Sequence, residues 1–271
     1  MKQSLAGGFR MRFIAMLLVM LAGCANTSTA IQPLELGDGQ IDGRKIAEYE
    51  LQWQQCAFAE GNWVDGGMLT EQVAVIGDQT LRLRHIVKRP SGPTTVATTY
   101  FERDTFGPRR MEVIAIMPDA SRKLLAVQEL NADGYQGWSA LAGARESVQG
   151  KINSKMLPGA VMGLPLATLG YQESPLEFSA SMMSFDATYR VIVSWVGRET
   201  LEYNDQKVEA LLVDAEWHHQ ESGDIYPPGP DASGGRYWLV PKPPEGFPYV
   251  PRYQTDTYAV EFVPGVCPQT K

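Results

Sequence analysis

The sequence predicts a mainly β fold: a large curved antiparallel sheet or half-barrel with at most one or two short helices. Apolar and polar residues alternate with period two in many segments, as in Tyr49, Leu51 and Trp53 on one face of a strand. Turn-forming Gly, Pro, Asn and Asp residues separate these segments at short intervals. The chain of 271 residues is long enough for one large β domain.

The N-terminal segment has the features of a signal peptide. Lys2, Arg10 and Arg12 precede the apolar run from Phe13 to Ala22. A helix needs roughly 20 apolar residues to span a bilayer, and this run is about half that length. We therefore interpret residues 1–23 as a signal peptide that is removed on export.

The end of this segment, Leu21-Ala22-Gly23-Cys24, resembles the lipobox of bacterial lipoproteins. The resemblance implies cleavage before Cys24, diacylation of its sulfur and acylation of the new amino terminus. Because Ala25 rather than Asp follows Cys24, it also implies sorting to the outer membrane, facing the periplasm. The alternative is an ordinary secretory signal with an incidental cysteine.

Residues 24–43 are small and polar, which predicts a lipidated N-terminus and tether, and residues 44–271 form the predicted β-rich envelope domain. The chain has a net charge of −7, and residues 1–23 contain three basic residues and no acidic one. The mature chain would be more acidic still. This argues against a nucleic-acid partner and against a basic membrane-binding patch, so we expect membrane contact through the lipid alone.

Two cysteines remain after the lipobox, Cys56 and Cys267. An even number of cysteines in an oxidising compartment predicts a disulfide bond between them. Two unrelated thiols are the alternative.

The first half of the domain contains a series of predicted hairpins. Val73–Ile76 and Leu81–Val87 flank a Gly77-Asp78 turn. His85 falls on an otherwise apolar strand face, and since no acidic partner follows it in register, we interpret it as a core or boundary residue rather than a ligand. Ser139 to Gly150 is the best candidate for a short helix.

The segment from Met156 to Leu169 is apolar but contains Pro158, Gly159, Gly163 and Pro165. This pattern predicts neither a regular helix nor a strand interior. An apolar loop must bury itself, so the segment is either a plug in the core or a lid over a ligand cavity. The candidate ligand-contacting side chains are Met156, Met162, Leu164 and Leu166.

In the last third, a strand ending Val-Gly-Arg-Glu-Thr is followed by Val-Glu-Ala-Leu-Leu-Val, Tyr-Trp-Leu-Val-Pro and a closing strand from Tyr253 to Val263. Residues 186–263 thereby resemble a family of exported bacterial β-rich proteins of unknown function. The resemblance implies a curved antiparallel sheet. A further analogy, at the level of fold alone, is to the half-barrel carriers of lipoprotein transport.

The sequence contains no Gly-x-Ser-x-Gly, Walker, His-Glu-x-x-His or Cys-x-x-Cys motif, and we expect no cofactor. Asp214, Glu216 and His218 lie at i, i+2 and i+4, which places them on one strand face as weak candidates for a metal site. The alternative is a charged solvent face opposite Leu211, Val213, Ala215 and Trp217.

Two classes of function follow. The first is a non-catalytic cell-envelope lipoprotein that binds or scaffolds, with a concave sheet that could hold an apolar ligand and a lipid or an envelope protein as partner. The second is a carboxylate-dependent envelope hydrolase acting on glycan, which would need two carboxyl groups about 5–10 Å apart in one cleft. The missing nucleophile and metal motifs favour the first.

Overall fold

The computed structural model describes residues 30–141, 143–182, 187–203, 206–220, 235–262 and 267–268. Cys24 and the predicted signal peptide lie outside the described residues. The main compact unit is Ile31–Lys271. Its strands are β1 (Gln32–Pro33), β2 (Tyr49–Ala59), β3 (Asn62–Ile76), β4 (Thr80–Lys88), β5 (Thr94–Glu102), β6 (Pro108–Ile116), β7 (Arg122–Leu130), β8 (Tyr135–Ser139), β9 (Glu146–Gly150), β10 (Leu157–Pro158), β11 (Leu176–Met182), β12 (Ala187–Tyr203), β13 (Gln206–His219), β14 (Gly235–Leu239), β15 (Arg252–Gln254) and β16 (Tyr258–Glu261).

In the part of the chain that the structure describes, helical structure is limited to short elements. The α-helix is α1 (Gly163–Leu169), and the two 3₁₀ turns are Gly43–Lys45 and Gly159–Val161. Within the described ranges, no helix has the length and apolar character that a membrane span requires. The predicted mainly β fold with at most one or two short helices is confirmed.

All 16 strands belong to one open sheet in the order β1-β11-β12-β13-β14-β15-β16-β2-β3-β4-β5-β6-β7-β8-β9, with β10 also paired to β11. β1 and β10 run parallel to β11, and the other neighbours are antiparallel. The sheet therefore consists of two meanders, β2 to β9 and β11 to β16. They meet where the last strand, β16, pairs with β2.

The sheet is strongly curved. Leu83 on β4 and Val191 on β12 belong to one contiguous core, together with α1. Seven strand-to-strand steps separate β4 from β12, which is about 34 Å on a flat sheet at the usual spacing. Because this distance exceeds the width of a helix, the two meanders must curl toward each other around α1.

The junction of β16 and β2, which we call the seam, carries the disulfide bond. Cys56 of β2 lies opposite Ala259 of β16 and is joined by a disulfide bond to Cys267, with the two Cα atoms 5.7 Å apart. Trp53 packs against Phe262 beside it, with ring centroids 5.7 Å apart. β16 has only four residues, each paired with β2, so the disulfide reinforces a short junction in the sheet.

The predicted helix from Ser139 to Gly150 is wrong. β8 and β9 form a hairpin there, with Tyr135 opposite Gly150 and Ser139 opposite Glu146. Gly143 in the turn has φ of +117°, which interrupts a helix. Pairing of β8 with β7 outweighs the weak helical propensity of this segment.

The domain begins earlier than residue 44, where the sequence placed its start. Gln32 and Leu34 donate backbone hydrogen bonds to the carbonyl oxygens of Pro175 and Glu177. The side chains of Leu34 and Ile41 are buried in the core. Residues 31–43, assigned to the tether, are thus part of the folded unit, because two apolar side chains among polar ones are enough to fix a short edge strand.

The segment from Met156 to Leu169 contains a helix, contrary to the prediction. α1 begins at Gly163, so Pro165 falls in its first turn, where the missing N–H costs no intrahelical hydrogen bond. Gly170, with φ of +71°, ends the helix. The predicted closing strand is also interrupted: Thr255 forms a turn between β15 and β16 by accepting hydrogen bonds from the backbone of Thr257 and Tyr258.

The Cys56–Cys267 disulfide bond is expected to stabilise the folded protein. Replacing both Cys56 and Cys267 by Ala should lower the free energy of unfolding by about 2–5 kcal/mol, because the denatured chain loses a constraint on a long loop. Urea unfolding measures this, with Cys24→Ala as the matched control that should leave the value unchanged. Two titratable thiols at Cys56 and Cys267 in unreduced protein would contradict the assignment.

Candidate functional site

The concave, inner face of the sheet holds the candidate site, and α1 occupies it. Met162, Leu164 and Leu166 are at most 3% exposed and lie in the core cluster with residues of β3 to β5 and β11 to β14. Met156, the fourth predicted ligand-contacting residue, is half-buried at the start of the segment. The structure therefore brings three of the four candidates together against the sheet.

Packing around α1 is tight at its first residue. A Cβ atom on Gly163 would lie 3.0 Å from Val250 Cγ2 and 3.1 Å from Tyr237 Cδ1. Any larger residue at position 163 would force the Val250 or Tyr237 side chain to shift. In the described part of the chain two surface pockets, of about 330 and 400 Å³, have no lining residue from the segment 156–169.

Few polar contacts hold α1. Lys45 Nζ donates to the carbonyl oxygen of Thr168 over 2.9 Å, and the backbone N–H of Asp42 reaches Thr168 Oγ1 over 3.4 Å. Thr168 Oγ1 itself donates to the carbonyl oxygen of Pro165. Gln172 Nε2 also donates to the carbonyl oxygen of Leu169 over 3.0 Å. The contacts of the buried α1 side chains with the sheet are apolar and non-directional, so a different apolar group of similar volume could replace them.

A polar cluster lies on the same face. It lies between the core around α1 and a second apolar cluster around Trp53 and Phe262, and Tyr49 packs against both. Glu71 of β3 accepts a hydrogen bond from the Tyr49 hydroxyl over 2.5 Å, and its other oxygen lies 2.6 Å from His85 Nε2. Both side chains of the Glu71–His85 pair are about 15% exposed. Burial, and after it the Glu71 charge, raises the pKa of the Tyr49 hydroxyl well above its ordinary value.

The interpretation of His85 as a residue without an acidic partner in register is wrong. The β3–β4 turn has three residues, 77–79, since Ile76 pairs with Thr80, and Glu71 consequently lies opposite His85. A two-residue Gly77-Asp78 turn would have placed Thr70 opposite His85 instead. Because the turn is one residue longer than Gly77-Asp78 alone, the sequence did not predict the Glu71–His85 pair.

The weak metal candidates do not converge. The Asp214 carboxylate accepts two hydrogen bonds from Arg236, of 2.6 and 2.8 Å, and Glu216 Oε1 lies 2.7 Å from His218 Nε2. On the opposite face Val213, Ala215 and Trp217 are buried. Among the residues whose placement is described, no group of three His, Cys, Asp or Glu side chains could hold a metal ion. The geometry favours the charged solvent face over a metal site.

Two carboxylates share an arginine near the seam. Arg252 lies 2.7 Å from Glu261 and 3.7 Å from Glu199, and Glu199 also accepts from Trp238 Nε1 over 2.8 Å. Burial raises the pKa of Glu261, against the opposing effect of Arg252. Because the Arg252 guanidinium contacts both carboxylates, Glu199 and Glu261 belong to an ion-paired network. They do not form an acid–base pair facing a cleft.

No known protein family, curated protein or solved structure matches this chain. The geometry of the inner face, with an apolar segment seated beside a small polar cluster, is therefore the basis for its functional interpretation.

The polar cluster gives a second stability prediction. Tyr49→Phe should cost about 1 kcal/mol of unfolding free energy in the native background and much less in a Glu71→Gln background, where the charged acceptor is gone. Urea unfolding of the four proteins of this double-mutant cycle measures the coupling. Tyr171→Phe, at an exposed tyrosine, is the control. Equal losses in the two backgrounds would show that Glu71 does not hold the Tyr49 hydroxyl.

Proposed function

We propose that the protein is a non-catalytic, lipid-anchored protein of the cell envelope that binds an apolar ligand on its inner face. The supporting observation is the seating of α1, a short helix that is buried except at its last residue, Leu169. Apolar packing and hydrogen bonds from residues 42–45 hold it on the concave face of an open sheet. An acyl chain offers the same kind of contact to the sheet. Binding would exchange α1 for ligand.

The exchange is energetically feasible because it replaces one apolar contact by another. Burial of apolar surface contributes about 25 cal/mol per Å², whichever molecule supplies the surface. The cost lies in the polar contacts of Thr168 and in exposing part of the segment to water. Gly159 before α1 and Gly170 after it are positions at which the backbone can change direction with little strain.

The anchor in this proposal is Cys24. Each buried CH₂ group contributes about 0.8 kcal/mol, and while one acyl chain binds only reversibly, three would hold the protein stably on the membrane. The proposed location is the outer membrane, facing the periplasm, where the disulfide of Cys56 and Cys267 can form and persist. The proposed partners are an envelope lipid or an envelope protein.

The first test concerns ligand binding. Lys45→Ala removes the hydrogen bond that holds the end of α1, so it should raise the affinity of the full chain for N-phenyl-1-naphthylamine by about fivefold to tenfold. Dispersed phosphatidylethanolamine should displace this fluorescent probe. Lys207→Ala, at an exposed lysine far along the chain, is the control and should change nothing.

The double variant Met162→Ser and Leu164→Ser should also raise the affinity for the probe, because it weakens the apolar packing of α1 that the ligand must displace, and it should lower stability as well. Both effects are measured well below the melting temperature, by titration of probe fluorescence and by urea unfolding. If neither the native chain nor Lys45→Ala binds the probe, and the Ser pair costs several kcal/mol of folding alone, α1 is a structural plug.

The anchor is tested by fractionation. Cys24→Ala should move the protein from the membrane fraction to the soluble fraction after an alkaline carbonate wash, because no acyl chain can then be attached. The native chain, handled in parallel, should stay with the membranes. A Cys24→Ala protein that still sediments after the wash would exclude a lipid anchor at this position.

A further inference from the structure

The meander from β2 to β9 has two edges with different chemistry. In an antiparallel meander alternate turns meet at the same edge, so the turns β2–β3, β4–β5, β6–β7 and β8–β9 lie at one edge. The turns β3–β4, β5–β6 and β7–β8 lie at the other. This placement follows from strand order alone.

Exposed apolar side chains are concentrated at the first edge. Of the nine large hydrophobic residues that the described part of the chain exposes, five lie beside its turns and are 38–55% exposed. We call these five the apolar rim: Phe58, Val64, Met117, Leu124 and Leu141. At the opposite edge of the meander Ile76 is the corresponding residue among those described.

Two tryptophans accompany the apolar rim. Trp63 packs edge-to-face on Phe58, with ring centroids 5.5 Å apart, and Trp138 lies under the Arg145 guanidinium, 3.9 Å from its ring centre. Both are half-exposed. Indole rings favour the boundary between water and lipid headgroups, because one part of the ring is apolar and the N–H is polar.

The charges of the two edges differ as well. The first edge carries five exposed basic residues in a chain whose net charge is −7: Lys88, Arg89, Arg122, Lys123 and Arg145. None of the five has an ion-pair partner among the described residues. The acidic residues at the same turns are Glu60, Asp65, Asp119 and Glu146, of which Asp65 and Asp119 accept backbone hydrogen bonds from Gly67 and Ser121. The opposite edge has Asp78, Asp104 and Asp133 at its turns, and the half-buried Arg103 is the basic residue in those turns.

We propose that the apolar rim docks on an anionic lipid surface. The apolar side chains stand on separate turns with basic residues between them, which suits shallow insertion of each turn among lipid headgroups. The buried core of a protein–protein interface is instead depleted of charged residues, whereas basic residues stand between the members of the apolar rim. The contact is additional to the N-terminal anchor, and it replaces the expectation from net charge that the fold itself makes no membrane contact.

The test places a fluorophore at single positions of the full chain in a Cys24→Ala background, where the other two cysteines are disulfide-bonded. Met117→Cys and Leu141→Cys carry an environment-sensitive thiol probe at the rim, and Ile76→Cys carries it at the opposite edge. Vesicles of phosphatidylcholine and phosphatidylglycerol should shift the emission to the blue at positions 117 and 141, but not at 76. Because the apolar N-terminal run is present in all three proteins, attachment through it cannot produce this difference.

Reversing charge at Arg122→Glu with Lys123→Glu should weaken the rim signal at low salt by on the order of tenfold, and vesicles of phosphatidylcholine alone should give a smaller shift. The proposal is overturned if positions 117 and 141 do not respond, if position 76 responds equally, or if the charge reversal has no effect. A shift that needs no vesicles and grows with protein concentration would overturn it too, since a second copy would then cover the rim.

Discussion

The pairing of β16 with β2 determines how the rest of the structure is arranged. It joins the last strand to β2, the first strand of the β2–β9 meander, so two separate meanders become one sheet whose inner faces look toward each other. Trp53 on β2 donates to the carbonyl oxygen of Val250, and Val250 also packs against Gly163 at the start of α1. Lys45, just before β2, holds the end of the same helix. Residues from both sides of the seam therefore hold α1 in place, and the Cys56–Cys267 disulfide bond stabilises the seam.

This arrangement separates two surfaces with apolar character. The inner face is buried and filled by α1, and its polar cluster of Tyr49, Glu71 and His85 is internally hydrogen-bonded. The apolar rim is exposed and flanked by basic residues. An envelope protein that takes an apolar ligand from a membrane needs both kinds of surface: one that replaces lipid around the ligand and one that approaches the bilayer. The two proposals are independent, because each rests on different residues and fails on a different measurement.

Local patterns in the sequence predicted the sheet, the apolar faces of β4, β12 and β13 and the burial of the segment 156–169, because a period-two alternation is visible without tertiary information. They did not predict the features that depend on one residue of register or on tertiary pairing. A three-residue turn at 77–79 hid the Glu71–His85 pair, pairing with β7 converted residues 139–150 into a hairpin, and Pro165 was compatible with α1 since it falls in the first turn. Residues 31–43 looked like a tether, since only Leu34 and Ile41 mark their burial. The apolar rim emerges only when strand order shows which turns meet.

The central claim is that α1 leaves the inner face when an apolar ligand binds. Hydrogen–deuterium exchange of the full chain, with and without dispersed phosphatidylethanolamine, follows the backbone amides of α1 directly. We expect the amides of residues 166–169 to lose protection when lipid is added, while those of β11 to β13 keep theirs. Unchanged protection of α1 at a lipid concentration that displaces the fluorescent probe would contradict the claim, since ligand would then bind elsewhere.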